Sequence, residues 1–399
     1  MDIACVVRRS FPGPGGIATA MRVVARELVA KHHRVRVWAS RIDDRPFTRL
    51  NTTLGAQAFS PFWSEGVEVR PIPMSAIAAT ASAPMALLEV PGFRGKGFSV
   101  TRRATAPGYV RAVAGRLARA WGSPDVVHCW GGEHVNWAAG RAARRAGIPL
   151  VVTPFAHPGA WGDDPMNVAF YQEAAIVCAL LPTEAAFYAR LGLDPARLRV
   201  VGVPVTPLPS EGPDVRARHG IGDAPLVVFL GVKQPYKGYR VLLEAAPTVW
   251  GDVPDARFAF VGPRTAESEA DFARVDDQRV TEVGLVPDEE VAAWLRAATV
   301  LCLPSTSEIM PVSILEAWQA GVPVVAAEWW CARDLIDDGL DGVICEPTRA
   351  SIAGGLARLL GDPAAARVMG EAGRAKVEAR FTPAKVAALH ESAYAAARA

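Results

Sequence analysis

Short apolar runs alternate with stretches of helical periodicity along most of the chain. In the first half, "IACVV" (3–7) precedes a helical pattern near 16–31 and then "RVRVW" (34–38). Farther on come "PDVVHCW" (124–130), a helix near 134–146, "IPLVVTPF" (148–155), "AAIVCALL" (174–181), a helix near 183–191 and "RLRVVG" (197–202). The second half is more regular. Its strands are expected at 226–230, 257–261, 279–283, 300–303, 323–326 and 342–345, with helices near 239–249, 267–274, 288–298, 312–320, 331–337 and 349–360. Apolar strands separated by helices specify parallel sheets covered on both faces. Two doubly wound α/β domains are the simplest architecture. The proline-rich stretch "VGVPVTPLPSEGPD" (201–214) marks the seam and divides 1–205 from 206–383. Residues 384–399 hold a last Ala-rich helix that adds no strand and is expected to pack back across the domains. The segment 41–106 shows little regular patterning. Its uncharged run from Pro71 to Leu88, interrupted by Pro71, Pro73 and Pro84, reads as a loop and not as a membrane span.

Composition adds a class and an asymmetry. The chain has 399 residues, half of them apolar and 21% charged, so it has the material for a sizeable core. Residues 1–205 carry 24 Lys and Arg against 14 Asp and Glu, whereas 206–399 carry 19 against 27. A basic half joined to an acidic half suggests different partners for each, or a solvated arginine-rich face. The six cysteines (5, 129, 178, 302, 331, 345) form no C-x-x-C pair and read as buried, reduced thiols of a cytoplasmic protein, with no metal site. "MDIACVVRRS" reads as a first strand, not as a signal peptide.

In sheets of this kind ligands bind beyond the carboxyl ends of the strands, so the strand-to-helix junctions are where chemistry is sought. In "SFPGPGGIATAM" (10–21), Gly13, Gly15 and Gly16 follow a strand and open a helix, where backbone N–H groups can approach an anion. The spacing is neither the dinucleotide fingerprint nor a P-loop, and a plain tight turn is the competing reading. In "VVTPFAHPGAWGDD" (151–164), His157 follows a buried strand and could meet a substrate hydroxyl or phosphate; a satisfied loop histidine is the alternative. His128, within "DVVHCW", reads as structural or supporting. In "VVFLGVKQPYKGYRVLLEA" (227–245), Lys233 and Lys237 lie between a strand and a helix start. A cation is misplaced ahead of a helix N-terminus unless an anion also binds there. In "SEIMPVSILEAWQAG" (307–321), Pro311 suits a helix start. Glu316 then leans back toward the helix N-terminus, and Glu308 lies in the loop ahead. A carboxylate on so apolar a helix is costly unpaired; sugar hydroxyls would satisfy it, and so would structural salt bridges.

These stretches, taken together, resemble the retaining GT-B glycosyltransferases of family 4 over nearly the whole chain. Glu308 and Glu316, with seven residues between them and followed by "AWQAGVPVVA", resemble the family's paired-glutamate signature. "GPGGIA" is similar to its glycine loop, "LGVKQPYKGYRVLLEA" to its G-R-L-x-x-x-K-G phosphate loop, and "VGLVPDEEVAAWLRAATVLCLPS" to its base-binding region. The resemblance implies two Rossmann-like domains facing across a cleft, the first holding an acceptor and the second a sugar nucleotide. It implies that Glu316 binds the ribose and Glu308 the donor sugar. The backbone of Pro311, Val312 and Ser313, with Lys237, would hold the diphosphate. Gly16 would approach the phosphates, and His157 would line the sugar pocket and fix the reacting geometry. It further implies retention of configuration, no metal, and no cofactor beyond the sugar-nucleotide substrate. Val232 stands where the family has arginine, with Lys233 beside it to supply the charge, and "EWWCARDLI" (328–336) replaces a glycine-rich turn. The acceptor is expected to be a small molecule, a natural product or a lipid-linked hydroxyl. An epimerase or pseudo-glycosyltransferase of the same fold, and a two-domain solute-binding protein, are the other readings. Arg and Lys in 94–103 and 110–121, beside Phe93, Phe98 and Trp121, suit an interfacial patch in peripheral contact with a membrane, a site for an anionic acceptor, or a solvated face.

Overall fold

The computed structural model describes residues 1–8, 16–40, 59–73 and 98–399, apart from the side chains of 98–103 and 105. Two compact units emerge, Met1–Pro204 together with Pro383–Ala399, and Val205–Thr382.

The first unit is built on β1 (Asp2–Val7), β2 (Arg34–Ala39), β3 (Phe62–Ser64), β4 (Val67–Pro71), β5 (Val126–Trp130), β6 (Leu150–Thr153), β7 (Ile176–Ala179) and β8 (Leu198–Val200). Their order is β3-β4-β2-β1-β5-β6-β7-β8. All neighbours are parallel except the β3–β4 hairpin. That hairpin closes through Glu65 and Gly66, both in the left-handed region (φ 51° and 78°), the turn that matches strand twist. It falls, as does the start of the Phe98–Trp121 helix, in the 41–106 segment where the sequence shows little regular patterning. Residues 74–88 of the Pro71–Leu88 run lie outside the described residues.

The Phe98–Trp121 helix also corrects the reading of Trp121 as part of an interfacial patch. Tyr109, Val113, Ala114, Leu117 and Trp121 are all buried, and Trp121 meets Trp38 edge-on with ring centroids 6.1 Å apart. Such a pair contributes about 0.5–1.5 kcal/mol beyond its area. The apolar face of this helix is spent on the core. Phe93 lies outside the described residues, as does the Phe98 side chain. Among the described residues, no helix is long and apolar enough to cross a membrane.

The Pro383–Arg398 helix belongs to this first unit. It is fastened by a buried polar chain. His128 bonds the Tyr394 hydroxyl through Nδ1 and the Thr153 hydroxyl through Nε2, each at 2.8 Å. His390 packs 5.4 Å from the His128 ring. Burial pushes both imidazoles down, His390 to about 3, so both are neutral at physiological pH. His128 is therefore structural, in keeping with the sequence.

The second unit is an all-parallel sheet of β9 (Leu226–Leu230), β10 (Arg257–Val261), β11 (Val280–Val283), β12 (Val300–Leu303), β13 (Val324–Ala327) and β14 (Gly342–Cys345). Its order is β11-β10-β9-β12-β13-β14. The chain winds one way from β9 and the other way from β12, so the strand order reverses between these two adjacent strands, and it is outside the carboxyl ends at such a switch point that open α/β sheets bind ligands. The Pro363–Arg380 helix has no counterpart in the sequence reading. Its buried stripe is Ala366, Met369, Gly370, Gly373 and Val377, helical in spacing, with three of the five positions alanine or glycine. A Cβ at Gly373 would fall 2.1 Å from Trp318 Cδ1, so the glycine lets this helix close onto the Val312–Gln319 helix. Trp318 in turn donates to the Asp341 carbonyl at 2.7 Å. All six cysteines are free and buried.

Candidate functional site

The crevice of the second unit gathers most of the residues that the sequence singles out. The loop after β9 ends in a short 3-10 turn, Pro235–Lys237, and Gly238 then turns the chain into the Tyr239–Asp252 helix. The loop after β12 runs from Pro304 to Pro311. The two loops are laced together at one carbonyl. Tyr236 O accepts the Thr306 amide at 2.9 Å, the Ser305 hydroxyl at 3.1 Å and the Thr306 hydroxyl at 3.4 Å. Gly238 has φ 77°, and its backbone passes so near Pro304 that a Cβ would lie 2.0 Å from the Pro304 carbonyl oxygen.

Lys237 and Glu308 meet across this seam. Lys237 Nζ donates to Glu308 Oε1 at 2.5 Å, with the side chains 20% and 8% exposed. The lysine that looked misplaced at a helix start thus has a carboxylate partner. The Glu308 backbone is held independently, since Trp330 Nε1 donates to its carbonyl at 2.8 Å and the Cys331 thiol to Ile309 O at 3.3 Å. The residues of "EWWCARDLI" that depart from the family's glycine-rich turn are therefore struts under Glu308. Sequence reasoning gave Trp330 no such role, because nothing local couples it to residue 308.

The Val312–Gln319 helix has Pro311 as its cap, in extended conformation (φ −69°, ψ 119°), and not as its first helical residue. Pro311 has no N–H, so it is not an anion donor; that expectation is corrected. The amides of Val312 and Ser313 find no acceptor among the described residues. Free N–H groups and the positive end of the helix dipole make this an anion-favouring spot. Glu316 lies one turn in, half-buried, with no hydrogen bond or ion pair among the described residues. Burial, with the Asp288 carboxylate adding to it, pushes its carboxyl up to about 7.

Lys233 is a plain correction. Its side chain is fully buried and turned into the domain, bonding the carbonyls of Gly262 and Val283 and pairing with Glu282 at 2.7 Å. Its backbone is tied as well, N to Pro263 O at 3.0 Å and O to the Thr265 hydroxyl at 3.1 Å. Lys233 pins the loop to β10 and β11 and does not supply the charge missing at Val232. A cation in so enclosed a place is sustained only by the carbonyls and carboxylate around it.

Gly16 and His157 belong to the first unit. Gly16 opens the Gly16–Ala30 helix, exposed, with open space where a Cβ would stand. Gly13 and Gly15 lie outside the described residues. His157 follows β6 at the head of a tight turn, its N–H bonded to Trp161 O at 2.8 Å and its ring stacked on Trp161 at 4.5 Å. The preceding Phe155 has φ 54°, a strained value for a bulky residue, and its side chain is buried. Ala156 N reaches the Tyr188 hydroxyl at 3.4 Å, and Tyr188 donates to the buried Glu184. The histidine thus sits on a constrained turn whose backbone is braced from behind.

The family model described as glycosyl transferases group 1 matches residues 224–362, which span Lys237, Glu308 and Glu316. The model of the glycosyl transferase 4-like domain matches 15–204, which spans Gly16 and His157. The chain is 31% identical over 281 residues to a GDP-mannose-dependent alpha-(1-6)-phosphatidylinositol monomannoside mannosyltransferase of Mycolicibacterium smegmatis, covering 63% of this chain and 72% of that one. The chain belongs to the group 1 glycosyltransferases. A D-inositol 3-phosphate glycosyltransferase of Catenulispora acidiphila, also of this kind, is 31% identical over 62% of the chain and 66% of its own length. The solved structure of Anabaena HepE in complex with UDP shares the fold, with a TM-score of 0.73 at 16% identity, covering 99% of this chain and all of that one. Membership agrees with two parallel-sheet α/β units of the GT-B class and with the crevice where the paired glutamates lie.

Proposed function

We propose that the protein transfers a sugar, with retention of configuration, from a nucleoside-diphosphate sugar to a hydroxyl of a polyol or lipid-linked acceptor. The observation that carries this is the half-buried, unpartnered Glu316 carboxylate on the helix whose first amides, Val312 and Ser313, are also unpartnered. An acid and free N–H donors within one turn suit a ligand with neighbouring hydroxyls and a diphosphate. In this reading Glu316 accepts from the ribose hydroxyls. The diphosphate lies on the Val312 and Ser313 amides and Lys237, and Glu308 takes hydroxyls of the transferred sugar. Lysine and helix dipole neutralise the departing diphosphate, so the step needs no metal. Front-face attack, with the donor phosphate assisting removal of the acceptor proton, accounts for retention.

The acceptor class is supported by the relatives, whose names specify inositol phosphate and phosphatidylinositol mannoside. The excess of Lys and Arg in residues 1–205 suits an anionic acceptor, free or at a membrane surface. The test is proton NMR of the protein with GDP-mannose or a UDP-sugar, with and without inositol phosphate. Sugar-nucleotide loss is expected to depend on the acceptor, and the product to keep the donor's anomeric configuration. An inverted product would overturn retention. Acceptor-independent appearance of an epimer would favour the epimerase reading.

A further inference from the structure

The Lys237–Glu308 pair presents a conflict that the proposed donor must resolve. Both side chains are claimed by the ligand in that reading, yet in the structure they bind each other at 2.5 Å. The backbones on both sides of the pair are fixed. Tyr236 O is tied to Ser305 and Thr306, and Glu308 O to Trp330. With the backbones tied, any exchange of partners falls to the two side chains. Lys237 is also the carboxylate's sole partner among the described residues. Val232 brings no charge to this loop and Lys233 is occupied within the domain. The loop's pull on a diphosphate therefore rests on Lys237.

We propose that Glu308 and Lys237 form an exchangeable pair that makes Glu308 the residue discriminating a sugar nucleotide from the bare nucleoside diphosphate. The inference rests on the donor placement above. When the diphosphate takes Lys237, the carboxylate, 8% exposed, loses its partner in a poorly hydrated place. Stranding a buried charge in this way is strongly unfavourable. Hydroxyls of the transferred sugar restore hydrogen bonds to it; a nucleoside diphosphate has none to offer there. Once the sugar has left, Glu308 returns to Lys237 and competes with the product diphosphate, which speeds its release. No bond is made or broken in the exchange; a hydrogen-bonded cation passes from one anion to another.

Calorimetric titration of GDP against GDP-mannose, and UDP against UDP-glucose, tests this with wild type, Glu308→Gln, Lys237→Met and the double variant. In wild type the sugar nucleotide with the preferred base is expected to bind at least tenfold more tightly than its diphosphate. Glu308→Gln is neutral and nearly isosteric, so it frees Lys237 without emptying the site. It is expected to tighten the diphosphate about tenfold and to reduce the preference for the sugar nucleotide to about twofold. Lys237→Met should weaken both ligands, and in that background Glu308→Gln should no longer tighten the diphosphate. Weaker or unchanged diphosphate binding by Glu308→Gln overturns the exchange while leaving the donor site intact. No binding of any of the four nucleotides to wild type overturns the donor placement itself. Circular dichroism of each variant, expected to match wild type, separates lost binding from lost fold.

Discussion

Replacing Glu316 with alanine is expected to abolish the rise in melting temperature that a nucleoside diphosphate gives the protein. At a ligand concentration a hundredfold above Kd, binding stabilises the folded state by about 2.7 kcal/mol. For a unit of this size that amounts to roughly 5–10 °C. The alanine removes the acceptor for the ribose and leaves the amides of Val312 and Ser313 with only the phosphates to hold. A second readout follows from the carboxyl itself, which burial pushes up to about 7. Ribose hydroxyls bond best to the ionised form, so binding should release a proton. Affinity should then climb as pH rises from 6 to 8, by up to about tenfold per unit below the carboxyl's pKa. The conservative Glu316→Gln variant should bind more weakly and without that pH dependence. The sign reverses for the free protein. A carboxyl whose folded pKa lies above its unfolded value stabilises below the unfolded pKa, and that contribution is lost as pH rises to about 7. Ligand-free Glu316→Gln should therefore melt higher than wild type at pH 8, as often happens where a functional site is relieved of an unpaired group. An unchanged nucleotide shift in the alanine variant would remove Glu316 from the site.

Gly238→Ala is expected to be the most destabilising single methyl at the site. Its φ of 77° penalises any L side chain, and the added Cβ would stand 2.0 Å from the Pro304 carbonyl oxygen and 2.5 Å from the carbon. Both are backbone atoms, so no side chain can swing aside. The left-handed conformation costs about 1–2 kcal/mol, and prying the two loops apart adds roughly 1–3 kcal/mol. Gly339→Ala is the control, because Gly339 has φ 82° but nothing within 4 Å of its would-be Cβ. Thermal unfolding should show a modest loss for Gly339→Ala and a loss two or more times larger for Gly238→Ala. Gly238→Ala should also weaken nucleotide binding, because it parts Lys237 from the Pro304–Pro311 loop. Equal losses would mean that the approach to Pro304 does not shape the crevice.

The central strands were legible because they are apolar runs covered on both faces, and runs such as "LVVFL" and "VLCL" are buried throughout. The Pro363–Arg380 helix has a core-facing stripe in which only Met369 and Val377 are large, and Ala366, Gly370 and Gly373 between them give hydrophobic periodicity little to register. The hairpin at 62–71 escaped because its strands are short and half-exposed, although Glu65-Gly66 is a fitting turn. At the site, the paired glutamates and Lys237 could be named from spacing at strand ends. Where a lysine points could not. Lys233 and Lys237 are alike in sequence, but Glu282 and two carbonyls draw one inward while Glu308 holds the other at the crevice. The Trp330 strut joins segments 22 residues apart, a distance over which no local pattern speaks.

One experiment bears on the donor site with the least intervening inference: the crystal structure of the protein soaked with the nucleoside diphosphate that stabilises it most. The diphosphate is expected on the amides of Val312 and Ser313, with the ribose on Glu316 and Lys237 turned from Glu308 to a phosphate oxygen. A nucleotide bound elsewhere, with the Lys237–Glu308 pair intact and the start of the Val312–Gln319 helix empty, would contradict it.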